Sequence, residues 1–99
     1  MKKGIGIEYA FSTGVHEITH HADNVMGFPA ENIVKTACKR LRNEYSGVRI
    51  NRLKAETAAE KWEDPHELLA YSMEKYCVGK GNVLAQEIAT EFLKRCKKK

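Results

Sequence analysis

Three stretches of this chain repeat their apolar residues at intervals of three and four, and each is bounded by residues that start or stop helices. In the first, Ala30, Val34, Ala37, Cys38, Leu41 and Tyr45 form one stripe with Ile33 at its edge, after Phe28-Pro29 and before Ser46-Gly47. Proline suits the first helical turn, where its missing N–H has no partner in any case. The second stretch opens on Asp64-Pro65-His66-Glu67. Asp64 is a good N-cap, Pro65 fits the first helical position, and Glu67 is placed to return a bond to the cap residue. Leu68, Leu69, Ser72, Met73, Tyr76 and Cys77 then share a face as far as Gly79. The third begins after the cap residue Asn82 and buries Leu84, Ala85, Ile88, Phe92 and Cys96. Only Gly79-Lys80-Gly81 separates the last two, so they are expected to form an αα-hairpin.

The N-terminal part follows another rule. Ile5, Ile7, Tyr9 and Phe11 alternate with Gly6, Glu8 and Ala10, which predicts a half-buried strand ended by Ser12-Thr13-Gly14. From Val15 to Met26 the apolar positions are 15, 18, 22, 25 and 26. That is helical spacing, preferred over the second arm of a hairpin, with Ser12 or Thr13 as cap and Gly27 as terminator. A lone strand needs a partner for its backbone groups. Val48-Arg49-Ile50 is the candidate, and it can equally open a helix running to Trp62. The expected fold is therefore α+β and helix-dominated: one N-terminal strand, paired with a short strand near Val48–Ile50, and about five helices.

Ninety-nine residues allow one domain and one core, with a basic tail over 94–99. No apolar run reaches the roughly 18–20 residues that span a bilayer, and no secretion signal is visible. Cys38, Cys77 and Cys96 are odd in number and widely spaced, which argues against a disulfide framework or a zinc ribbon. Reduced core thiols and a cytoplasmic setting are expected.

Charge is segregated. Lys35 to Lys54 carries seven cations against the one acid Glu44, whereas Ala55 to Leu93 carries eight acids against three bases. Such a pattern steers partners without dictating a fold.

Two constellations carry candidate chemistry. His16-Glu17-Ile18-Thr19-His20 matches H-E-x-x-H. On a helix, residues four apart share a face, so His16 and His20 can ligate Zn²⁺ while Glu17 activates water. Across these five residues the chain resembles the zincin metallopeptidases. That resemblance implies a third ligand from a downstream helix, for which Glu56 and Glu60 are candidates. His21 points roughly 100° away from His20 and is not grouped with the pair. His66, in a first turn, reads as a surface residue. No cofactor is called for by any other motif.

The second constellation is basic. Lys35, Lys39 and Arg42 share the helix face opposite the apolar stripe, and Arg49 and Arg52 follow the turn. Clustered cations of this kind neutralise nucleic-acid phosphates. A helix–turn–helix is not indicated, because Asn43 stands where that motif wants a small residue. The function expected first is a small binding or regulatory protein that contacts nucleic-acid backbone. A minimal zinc hydrolase is second, and a protein–protein adaptor or self-associating domain is third.

Overall fold

The computed structural model describes the backbone of residues 2–97 and the side chains of residues 14–97. Five α-helices follow one another: α1 (Lys2–Val25), α2 (Ala30–Leu41), α3 (Gly47–Ala58), α4 (Pro65–Cys77) and α5 (Val83–Lys97). A short 3-10 turn, Ala59–Lys61, separates α3 from the entry to α4. The two lysines at the end of the tail, Lys98 and Lys99, lie outside the described residues.

The architecture is all-helical, and the expected α+β fold with an N-terminal strand is overturned: no strand occurs among the described residues. The two expected strands fail for one linked reason. Ser46 is a helix cap, its hydroxyl accepting from Arg49 N at 3.2 Å, so Val48–Ile50 is drawn into the first turn of α3. That leaves residues 5–11 with no strand to pair with. A helix satisfies their backbone groups internally, and α1 runs unbroken through Gly14, which terminates nothing. The α3 run also stops earlier than expected, at Ala58 rather than Trp62.

α4 is the hub. It packs against α1, α2, α3 and α5, while α2 and α3 also rest on α5. Burial nearly all round follows: Leu68, Leu69, Ala70, Ser72 and Met73 are all buried. Around them Ile33, Leu84, Ile88 and Phe92 complete the core from α2 and α5, and Ile50 and Leu53 from α3. The α4–α5 pairing is the expected hairpin, with Gly79 at φ +74° in its connection and Asn82 Oδ1 accepting from Ala85 N at 2.9 Å.

Polar side chains tie the helices at three points. Asp23, almost fully buried, accepts from Ala30 N at 3.2 Å and from the His66 ring, so α1 caps α2 and grips α4. Proline at the start of α2 offers no side-chain cap, and Asp23 supplies it from a distance. Asn82 donates to Leu53 O at 3.1 Å, joining the end of α3 to the start of α5. Glu91 of α5 lies between Arg40 of α2 and Arg95, each at 2.9 Å. Of the three cysteines only Cys38 is buried; Cys77 and Cys96 are exposed rather than core thiols.

Candidate metal centre

α1 lies along α4, and the face that α4 turns toward it is polar at i, i+4 and i+7: Glu67, Tyr71 and Glu74. Opposite them stand His16 and His20, one turn apart on α1. Nε2 of His16 is 3.2 Å from Oε1 of Glu67, and Nε2 of His20 is 3.5 Å from Oε2 of the same carboxylate. One ligand atom from each of the three residues lies within 4.8 Å of the others. All three are partly exposed, between a fifth and a third.

The surroundings orient this trio. Nδ1 of His16 is 3.1 Å from Oε2 of Glu74, so the ring is held between two carboxylates, one at each nitrogen. Its faces are fixed by Tyr71, edge-on at 4.6 Å between ring centroids, and by the His20 ring at 4.9 Å. Thr19, buried between the two histidines, satisfies its hydroxyl on Val15 O at 2.7 Å.

The donor set fits zinc. Two imidazole nitrogens and one carboxylate form the ligand composition of hydrolytic zinc sites, which leave a fourth position open. Bonds of about 2.0–2.1 Å in a tetrahedron put ligand atoms about 3.3 Å apart. Here His16 and His20 reach the two different oxygens of Glu67 at 3.2 and 3.5 Å, and one atom from each residue lies within 4.8 Å of the others, so a bound ion would have to draw the three slightly inward. Ligand histidines also hold their second nitrogen on a carboxylate, the position Glu74 occupies.

The H-E-x-x-H residues therefore come together as helical phase requires, with a third partner that the sequence pattern did not single out. Glu56 and Glu60, the third-ligand candidates, are not in the group. They line a separate recess of about 270 Å³ that borders the centre through Tyr71 and Glu74. Glu67 was assigned to helix capping; in the fold its carboxylate meets the histidines instead. Glu17 is exposed on α1, roughly 60° round the helix from His20. His21 is exposed, and His66 is bound to Asp23.

The five basic residues expected to contact nucleic acid divide into two groups. Lys35, Lys39 and Arg42 line a groove of about 620 Å³ together with Lys54. Arg49 and Arg52 line a different recess with Tyr45, Ser46 and Val48. Lys54 of α3 therefore joins the α2 cations, while Arg49 and Arg52 of the same helix line the other recess. In the groove, burial holds the Cys38 thiol above its usual range, against the opposing pull of Lys54 and Arg42.

Comparison with known proteins adds no assignment: no family model matches the chain, and no curated protein or solved structure is significantly similar to it.

Proposed function

We propose that this chain is a small helical metalloprotein that holds zinc through His16, His20 and Glu67 and uses it for hydrolysis. The observation that carries the proposal is the convergence of these three side chains, from α1 and α4, with one ligand atom of each within 4.8 Å of the others. A zinc ion there would supply Lewis acidity and bring a water's pKa down toward 7. The protein's own residues do the rest. Glu74 fixes the His16 tautomer so that Nε2 presents its lone pair. Glu17, next to His16 and three residues before His20 on α1, is the group available to take a proton from the attacking water. This assignment ranks above nucleic-acid backbone binding because the cations for the latter fall into two recesses.

Without metal, the same atoms form a histidine–carboxylate network that holds α1 on α4, and thermal unfolding separates the two cases. Zinc at about a hundredfold its Kd stabilises a site by about 2.7 kcal/mol, or about 10–20 °C for a domain of this size. Wild type should show that rise. His20→Ala and Glu67→Gln should lose it, and Glu74→Gln should weaken zinc about 10–100-fold. Glu17→Gln should keep the rise while zinc-loaded protein loses hydrolysis of p-nitrophenyl acetate. If zinc leaves the wild-type midpoint unchanged while Glu67→Gln is destabilised in its absence, the cluster is structural and the proposal fails.

A further inference from the structure

We propose that the groove between α2 and α3 is a binding site for a small organic phosphate, held by Lys35, Lys39 and Arg42 on one wall and Lys54 on the other. The site is independent of the metal centre, which lies between α1 and α4.

The first ground is charge left unanswered. Two arginines elsewhere are neutralised: Arg40 and Arg95 both reach Glu91, and Arg95 also donates to Asn32 Oδ1 at 2.6 Å. The side chains of Lys35, Lys39 and Arg42 make no ion pair or hydrogen bond among the described residues. The Glu31–Lys35 pair that the sequence allows does not form, although both residues line the groove. Lys54 is held across from them with its ammonium 5.8 Å from the Trp62 ring centroid, a contact that steers the side chain without cancelling its charge. Four cations therefore converge on one concavity, and phosphate is the anion that such a cluster matches.

The second ground is shape. A volume of about 620 Å³ lies in the range of small-molecule sites. Val34, Cys38 and Pro65 add an apolar part to the lining, which suits the non-phosphate part of an organic ligand. Two carboxylates decide against a continuous phosphate chain. Glu31 stands at the end of the groove nearest the start of α2, and Glu63 on the wall that Pro65 shares. A polymer threading the groove would have to pass both, whereas a compact ligand need occupy only the part that the four cations line.

Fluorescence anisotropy of methylanthraniloyl-ADP with the full chain tests this, with a fluorescein-labelled 12-base-pair DNA duplex as the second arm. The nucleotide should bind saturably. Lys39→Gln, Arg42→Gln and Lys54→Gln should each weaken it roughly tenfold, the loss of one charge-assisted hydrogen bond. Arg49→Gln/Arg52→Gln, which alters the other recess, should leave it unchanged. Bound nucleotide should also slow alkylation of Cys38, while exposed Cys77 and Cys96 react as before. Absent saturation, equal loss in the Arg49/Arg52 variant, or unprotected Cys38 overturns the proposal. Tighter binding of the duplex than of the nucleotide, with a steep salt dependence, overturns it in favour of backbone binding.

Discussion

Glu91→Gln isolates the ion pair that fastens α2 to α5. Glu91 is nine-tenths buried, with Oε2 2.9 Å from Arg95 Nε and Oε1 2.9 Å from Arg40 Nη2. Glutamine keeps the volume and removes the negative charge, so both arginines lose their ionic partner, and the amide nitrogen that replaces one carboxylate oxygen cannot accept from either. Each such loss costs about 1 kcal/mol. Arg40 and Arg95 are 43% and 27% exposed and can turn to water, which discounts the total below that of a fully buried pair. The expected loss is about 1–2 kcal/mol, seen as a lower urea midpoint near pH 7.

A pH series supplies the sharper test. The hydrogen bond from Arg95, with the Arg40 guanidinium beside it, holds the Glu91 carboxyl below its usual range despite its burial. A carboxyl depressed in the folded state contributes stability that is fully present above its unfolded pKa and is lost as pH falls through the folded one. Wild type should therefore converge on the variant as pH falls below the usual carboxylate range. A gap that stays constant from pH 7 to acid, or a variant as stable as wild type, would refute the assignment of Glu91 as an ionised tie.

Two further substitutions test local backbone assignments by urea denaturation. Asp64 Oδ1 accepts from His66 N at 3.0 Å as the N-cap of α4, so Asp64→Ala should cost about 1 kcal/mol, and an unchanged midpoint would remove the cap from the account. Ala59 ends α3 at φ +52° and ψ −126°, a conformation that costs a non-glycine residue energy; Ala59→Gly should stabilise by about 1 kcal/mol, and a lowered midpoint would mean that the methyl group's packing outweighs the strain.

The helices with both a periodic stripe and a terminal signal were legible in the chain itself. Asp64, Asn82 and Gly79 act where their types predict, because a cap or a left-handed residue satisfies its physics within a few positions. The shared face of His16 and His20 was legible for the same reason: it depends on helical phase alone. Residues 5–11 were not legible, since their alternation fits a strand and only the fate of Val48–Ile50 decides whether a strand partner exists. Glu67 and Glu74 carry no local mark of their role. Glu67 resembles a capping glutamate and Glu74 a solvated one, until α1 is laid against α4 and brings the histidines to them across about fifty residues of chain. Lys54 joins Lys35, Lys39 and Arg42, and Arg49 and Arg52 leave them, only once α2 and α3 are both packed on α4 and α5. Local physics writes periodicity and caps into neighbouring residues, whereas a site between helices is set by which faces the core brings together, and that is a property of packing.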